Sequence, residues 1–521
     1  MRHRSLPALR CALLIGFGLA GAPRRASAQA AYEQLQTFSS LLNQIRTSYV
    51  DSVTYAELVH AAIDGVLSSL DPHSRFLRRV DSEREQAYEA GLLAGTGIVF
   101  DEVDGWLTVL TVVPGTPAAR AGISAGDRLL AINDTASDGL SAYEVGSRLL
   151  GEKGTRVRLL FERGPHLEPD SVKVTIKYAL LEPRSVTTSR LVDATTAYVR
   201  LSGFHAKAGE EVERAITDLR AKGAKRLILD LRGNPGGLVS AAVEISSLFL
   251  PRKSEVFRTV GRRMSAIGEF QTDHDGPFRD LPLMLLIDEG SASASEAVAG
   301  SLQDHDRALV LGRRSFGKAL MQQGFPVPPQ GDFVYLTVGR IATPSGRIIQ
   351  RSYRGLKASQ YYAFAGRSGT EQDTSTVFLT DRKRPVRGGG GIAPDVAITR
   401  SAELPGWWGT VADSGWVESV ADSVAALLPR DLAGEARWNG SPAEWQTGLV
   451  TPLLERVHTR LKVAAQPDTA VRGRIGRILA YRAAEVRWGR EAAEELIVRY
   501  DPDLRVAMGY WDRIDGLLGG R

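Results

Sequence analysis

Two short stretches of this chain hold side chains able to do covalent chemistry. The first is the small-residue turn Gly290-Ser-Ala-Ser-Ala-Ser-Glu296, which follows an apolar run ending at Ile287. A serine at such a strand-to-helix junction exposes its hydroxyl, and the N–H groups that follow can stabilise an oxyanion at the helix N-terminus. The G-x-S-x-G pattern of a nucleophile elbow is absent, because Ser291 and Ser295 stand where its glycines would flank Ser293. A Ser/Ala-rich helix cap is the competing reading. The second stretch is Gly312-Arg-Arg-Ser-Phe-Gly-Lys318, whose spacing invites a P-loop. That reading fails: Ala319 stands where Ser or Thr must hold magnesium, and Gly324 and Pro326 interrupt the helix the phosphates need. Lys318 can instead act as a general base if burial lowers its pKa, since Ser–Lys is an alternative to a histidine triad. Gln322, four residues on, would lie near the amine if that segment is helical. A surface lysine is the alternative.

The remaining chemistry is thin. The eight histidines (His3, His60, His73, His166, His205, His274, His305 and His458) sit in no triad-like context, and His305 in Asp304-His-Asp306 reads as a helix end. No H-E-x-x-H or Cys/His set supports zinc. Cys11 is the single cysteine and lies in the leader, so cysteine mechanisms are excluded for the mature chain.

The elements that must position these groups follow from periodicity. Residues 177–400 alternate strand and helix: Ala197–Leu201, a helix from Glu210 to Lys222, the buried strand Arg226–Leu231, a helix from Val239 to Leu248, and the apolar strand Leu283–Ile287. Such alternation predicts an α/β core, with chemistry beyond the carboxyl ends of its strands. Gly233-Asn-Pro-Gly-Gly237 and the 290–296 turn both sit there. Residues 91–176 carry short β-rich runs, Trp106–Val113 and Arg156–Phe161, divided by turns at Pro114-Gly115 and Ala125-Gly126, with a short helix over Ala142–Leu150. Residues 29–90 read as a helical packing segment, with stripes at Leu35, Phe38, Leu41 and at Leu58, Ala61, Leu67. Residues 355–395, with Gly388-Gly-Gly-Gly391, read as an exposed excursion. Residues 401–521 read as a helical extension holding most of the tryptophans as packing residues.

Composition bounds the class. Hydrophobic residues make up 43% and charged residues 24% of 521, ordinary globular values for several domains. The net charge of +5 belongs to the first 28 residues, which carry five arginines and no acid; the rest balances at sixty against sixty. Bulk attraction to nucleic acid is therefore excluded. Arg2, Arg4 and Arg10, the apolar run Cys11–Ala22 and Ala26-Ser-Ala28 read as a secretory signal cleaved after Ala28, with an uncleaved anchor as the alternative. Export without disulfides fits a bacterial periplasm or envelope.

Leu227-Ile-Leu-Asp-Leu-Arg-Gly-Asn-Pro-Gly-Gly-Leu238, Glu289–Gly300 and Ser315-Phe-Gly-Lys318 with Gln322 closely resemble the carboxyl-terminal processing proteases, the S41 serine peptidases. Thr343-Pro-Ser-Gly-Arg347, Gly391-Ile-Ala-Pro-Asp395 and Ser68–Ser74 match further stretches, and the resemblance covers about residues 35–400. It implies a crotonase/Clp-like α/β protease core at 177–400 with an inserted PDZ domain at 91–176. It also implies Ser293 as nucleophile, Lys318 as base, and Gln322 as its orienting partner. Ala294 N–H and a glycine N–H of Gly236-Gly237 would form the oxyanion hole. Glu296 and Asp304 would be supporting acids, with structural capping as the alternative. Ala319 and Ser315 depart from the family's glycine and threonine. Gly95-Thr-Gly-Ile98 resembles a PDZ carboxylate-binding loop, and Pro114–Gly122 and Ala125–Asn133 its helix and next strand. The implied function is a Ser–Lys endopeptidase, needing no cofactor or metal, that cleaves exported proteins near free C-termini recruited by the PDZ domain. A homo-oligomer or an adaptor protein would use the C-terminal extension. The rivals are a catalytically silent PDZ-bearing adaptor and another enzyme on the same core.

Overall fold

The computed structural model describes residues 22–517 apart from 80, 84–93, 104–105, 113–115, 124–126, 138–139, 141–144, 147, 164–169, 182–183, 264–266, 330, 357–360, 362–375, 400–402 and 464–465. The apolar leader, the Pro114-Gly115 and Ala125-Gly126 turns and residues 142–144 and 147 of the helix expected over 142–150 lie outside the described residues. Among the described residues, no helix is long and apolar enough to cross a membrane. Two units separate at Phe76. The first is a pair of helices, α1 (Ala22–Ser48) and α2 (Tyr55–Leu70). A capping box starts α2: Thr54 Oγ1 accepts from Glu57 N–H, and Glu57 accepts from Thr54 N–H at 2.7 Å. The helices stand where their periodicity predicts, but Leu35, Phe38 and Leu41 are exposed, since two helices alone cannot enclose their apolar stripes.

The second unit runs from Leu77 to the end of the chain. Its β domain begins with β1 (Ala94–Gly95) and continues as β2 (Ile98–Val103), β3 (Trp106–Val112), β4 (Arg128–Ile132), β5 (Arg156–Arg163) and β6 (Asp170–Lys177). These last five run in the order β2-β3-β4-β5-β6, so β2 is an edge strand among the described residues. Alternate residues such as Val157, Leu159 and Phe161 close the core with Leu129 and Ile176.

The larger sheet joins β7 (Val186–Leu191), β8 (Thr196–Leu201), β9 (Arg226–Asp230), β12 (Leu283–Ile287), β13 (Leu309–Gly312) and β16 (Val396–Ala397) in that order, with only the β7–β8 pair antiparallel. The helices α3 (Ala208–Ala221), α4 (Val239–Ser247) and α5 (Ala294–Asp304) pack on one face. That face presents Val199, Leu227, Leu229, Leu283, Leu285 and Val310. Side chains alternate across a strand, so Tyr198, Ile228, Met284, Leu286, Leu309 and Leu311 point the other way. They meet Val498, Leu504, Ala507, Trp511 and Ile514 from the end of the chain. The continuous apolar runs of β9 and β12 are thus buried on both sides, as parallel sheets require. A second sheet holds β10 (Glu255–Gly261), β11 (Gly268–Gln271), β14 (Leu320–Val327) and β15 (Asp332–Ala342).

The C-terminal segment is helical, with α6 (Trp416–Leu427), α7 (Thr451–Leu461), α8 (Thr469–Trp488), α9 (Arg490–Tyr500) and α10 (Pro502–Met508). Trp438 and Trp445 are buried in its own core beside Leu449, Leu453 and Leu479. Two expectations are corrected. Residues 388–392 are not an exposed excursion: Ile392 is fully buried and its N–H donates to Ser315 Oγ at 2.6 Å. Gln322 is not on a helix, because residues 320–327 form β14, paired antiparallel with β15.

Because Leu504 lies under the sheet rather than in a detached tail, Leu504→Ala should destabilise the whole second unit by about 2–5 kcal/mol. Urea unfolding of the full chain checks this. A change within experimental error would mean that the last helices do not pack on the sheet in solution.

Candidate active site

The carboxyl ends of β9 and β12 feed two turns that are laced together. After β9, Asn234 is fully buried. Its Nδ2 donates to Leu201 O at 2.8 Å, and its Oδ1 accepts from Gly236 N–H at 2.9 Å. Its carbonyl accepts from Ala292 N–H and from Ser295 Oγ, at 3.0 and 2.9 Å. Asp288, just after β12, accepts from Gly233 N–H and Gly290 N–H at 2.8 and 2.9 Å. One asparagine and one aspartate therefore set the distance between the turns. Neither was singled out from the sequence, although Asn234 stands inside a quoted motif.

These bonds separate the three serines. Ser291 and Ser295 are fully buried, and their hydroxyls are used up on Leu231 O and Asn234 O. Ser293 is partly exposed, at the N-cap of α5, with φ 56° and ψ −113°. A positive φ at a non-glycine residue costs on the order of 1–3 kcal/mol and persists only where the surroundings enforce it. Here Glu296 does so. Its Oε2 accepts from Ser293 N–H at 2.9 Å and from Lys318 N–H at 2.8 Å. Its Oε1 accepts from Gly317 N–H at 2.7 Å and from Ser315 Oγ. A single buried carboxylate thus holds the main chain of the candidate nucleophile and that of the candidate base.

Burial pushes the Glu296 carboxyl up to about 7, against the pull of those four bonds. Three of its partners are N–H groups that only donate. Ser315 alone can reverse and accept, so the proton has a place on Oε1, facing Ser315 Oγ, while the second Oε1 lone pair still takes Gly317 N–H.

The glycine pair divides two tasks. A Cβ on Gly236, whose φ is 101°, would lie 2.7 Å from Ala292 O, 2.8 Å from Ala294 N and 2.9 Å from Ser293 Cβ. The absent side chain is what lets the turn lie against the serine. Gly236 N–H is committed to Asn234, whereas the N–H groups of Gly237 and Ala294 have no acceptor among the described residues.

Other expected residues fall elsewhere. Asp304 ends α5, roughly 15 Å from Ser293 by helix rise. Its carboxylate binds Thr343 Oγ1, Ser345 N–H and the fully buried Arg347, so it anchors the 343–347 turn rather than the serine. His305 caps that same far end, with its ring between Asp381 and Glu255 O. Gln322 stands on β14 four residues after Lys318, in a strand rather than a helix, and donates to Thr337 across the β14–β15 pair at 3.3 Å. In the β domain, Gly95 pairs with Leu150 and Ala179. Thr96 is buried, with its carbonyl taken by Ala118 N–H at 2.9 Å. Gly97, at φ 85°, lies tight against Thr116 where a Cβ would not fit. Ile98 opens the edge strand β2. Among the described residues no cluster of three metal-ligating side chains occurs.

Two substitutions test this centre. Gly236→Ala should keep the circular dichroism spectrum of the wild type and slow labelling of Ser293 by a fluorophosphonate about 100-fold, the cost of an ångström-scale displacement of a reacting group; undiminished labelling would refute the close approach. Glu296→Gln cannot satisfy its donors in either amide orientation, so the wild type should be the more stable of the two. The sign of its pH dependence follows from the raised pKa. Between 4.5, the ordinary value, and about 7, the folded chain keeps a proton that the unfolded chain has released. The wild-type advantage, fully present below the ordinary value, should therefore shrink from pH 5 to pH 8 in urea unfolding. An advantage that grows with pH would exclude the raised value.

The profile of Peptidase family S41 matches residues 195–359, and that of the PDZ domain residues 108–163. The carboxy-terminal-processing protease of Bartonella bacilliformis is 34% identical over 62% of this chain and 74% of its own. The carboxyl-terminal-processing protease of Picosynechococcus is 36% identical over 55% of this chain and 69% of its own. Among solved structures, the photosystem II D1 C-terminal processing protease aligns at 25% identity and a TM-score of 0.39, covering 68% of this chain and 86% of that one. The chain therefore belongs to the S41 family of serine-type peptidases, among the carboxy-terminal processing proteases, and carries a PDZ domain.

Proposed function

We propose that the chain is an exported endopeptidase in which Ser293 is the nucleophile and Lys318 the general base. The observation that carries this reading is that Ser293 N–H and Lys318 N–H donate to the same oxygen of buried Glu296, at 2.9 and 2.8 Å. In the acylation step the neutral Lys318 amine takes the Ser293 Oγ proton as Oγ bonds to the scissile carbonyl carbon. The carbonyl oxygen becomes an oxyanion, held by the N–H groups of Ala294 and Gly237 at the positive end of α5. Gly236 supplies the space. The lysine ammonium then gives its proton to the leaving amine as the C–N bond breaks. Water, deprotonated by the same amine, releases the acyl group as a carboxylate. Glu296 holds the two main chains in place, Asp304 acts at a distance through the 343–347 turn, and Gln322 on β14 is the orienting partner of the Lys318 amine, with its own amide steadied by Thr337.

The PDZ domain supplies recognition. Among the described residues β2 is an edge strand, open to pairing with an extended peptide, and the turn Gly95-Thr96-Gly97-Ile98 at its start would receive the terminal carboxylate. The arginine-rich leader makes the periplasm or envelope the site of action, and the substrates are protein or peptide chains with free C-termini.

The test compares protein starting at residue 29 with Ser293→Ala and Lys318→Ala, on an unstructured protein ending in apolar residues and on its C-terminally amidated form. Both variants should retain less than about a thousandth of the turnover. Amidation should weaken cleavage, and turnover should rise with pH as Lys318 loses its proton. Cleavage that survives Lys318→Ala would refute the dyad. Turnover by the wild type no greater than by Ser293→Ala, with no labelling of Ser293 by a fluorophosphonate, would favour a silent PDZ adaptor.

A further inference from the structure

Behind both catalytic turns lies a set of ion pairs whose outer half comes from the end of the chain. Asp230, the last residue of β9, is fully buried. It accepts from Tyr198 Oη at 2.6 Å and from Arg232 Nε and Nη2 at 2.9 and 2.6 Å. Burial alone would raise its carboxyl, yet the Arg232 guanidinium brings it down to about 2. The same guanidinium reaches across to the C-terminal segment, meeting both oxygens of Asp501 and, at 3.1 Å, Asp503 Oδ2. Asp503 Oδ2 also accepts from Arg313 Nη1 at 2.8 Å. Arg313 Nε in turn donates to Glu289 at 3.2 Å, and its Nη2 stands 3.8 Å from Asp288.

The two arginines are neighbours of the reacting turns in sequence as well as in space. Arg232 immediately precedes Gly233–Gly237. Arg313 grips Asp288 and Glu289, which lead into Gly290–Ser293. Packing does not fix these side chains on every side, because a cavity of about 520 Å³ opens beside Arg232, Arg313, Asp501 and Asp503. Arg232 is itself buried, and its guanidinium is met there by Asp230, Asp501 and Asp503, as that of Arg313 is by Asp503, Glu289 and Asp288.

We propose that Asp501 and Asp503 are positioning residues for the peptidase centre: by holding Arg232 and Arg313 they fix where the two catalytic turns begin, so the C-terminal segment governs the chemical step rather than substrate affinity. The proposal rests on the Ser293–Lys318 reading above. Asp501 also caps α10, accepting from Asp503 N–H and Leu504 N–H at 2.9 and 3.1 Å. Asparagine caps a helix about as well as aspartate, so Asp501→Asn removes the charge and keeps the cap.

The experiment measures kcat and KM, fluorophosphonate labelling of Ser293 and thermal unfolding for full-length wild type, Asp501→Asn/Asp503→Asn and Glu495→Gln. Glu495→Gln is the control: it breaks the 3.3 Å ion pair to Arg190, which ties α9 to β7 away from the turns. The double variant should lose about 10- to 100-fold in kcat and in labelling rate, with KM within about twofold and the unfolding temperature close to wild type. Glu495→Gln should keep wild-type kcat. An unchanged kcat in the double variant would overturn the proposal, as would equal losses in both variants tracking the unfolding temperature. Failure of the peptidase reading would look different, as wild-type turnover no greater than that of Ser293→Ala, and would overturn this proposal with it.

Discussion

A carboxylate taken fully out of water is costly unless every lone pair finds a donor, and Glu296 meets that condition with three N–H groups and one hydroxyl. Those donors come from two segments that are distant along the chain, the 293–296 turn and the 315–318 loop. Neither can move without exposing the charge to an unmatched interior. The strained backbone of Ser293 and the direction in which Lys318 leaves its loop are thus set by one electrostatic requirement. Ser315 extends it by one shell, since its hydroxyl also receives Ile392 N–H, and the Gly388–Gly391 stretch becomes a wall of the lysine loop.

The same economy appears one layer below. A mostly parallel sheet buries both faces, so a peptidase core with α3, α4 and α5 on one side needs a cover for the other. The last helices of the chain provide it, with Leu504 and Trp511 beneath β9, β12 and β13. Covering a face by a distant segment also brings that segment's charges under the strand ends, where the turns begin. Asp501 and Asp503 arrive there because α10 must pack Leu504 and Ala507 against the sheet. Structural cover and electrostatic support of the turns are one placement.

Local pattern was enough to place the alternating core, the strands Arg226–Asp230 and Leu283–Ile287, and the turns after them, since apolar period and turn chemistry are written within ten or so residues. What local pattern did not show depends on partners far away. Nothing local distinguishes Ser293 from Ser291 and Ser295; only the carbonyls of Leu231 and Asn234, which consume the flanking hydroxyls, do so. The four-residue spacing from Lys318 to Gln322 suits a helix, but Leu320–Val327 is drawn into an antiparallel pair whose other strand ends at Ala342. The glycine run at 388–391 has the composition of a loop, and close approach to Ser315 and Gly317 buries it. Asp501, which caps α10, has a guanidinium partner 269 residues earlier. No spacing rule reaches that far.

The helix α5 joins these levels. At its N-terminus the macrodipole favours negative charge, which suits Glu296 in the first turn. At its C-terminus the dipole opposes Asp304, whose carboxylate stays in place because Arg347, equally buried, donates to it at 2.7 Å. Every side chain of this helix from Ala294 to Asp304 is buried, so it cannot shift along its axis without breaking one end or the other. Buried acids at both ends turn the helix into a strut of fixed length between the serine turn and the 343–347 turn. A substitution at Arg347 would therefore reach Ser293 through displacement of α5, and the tightness of the interior converts a lost ion pair at one end into a displaced serine turn at the other.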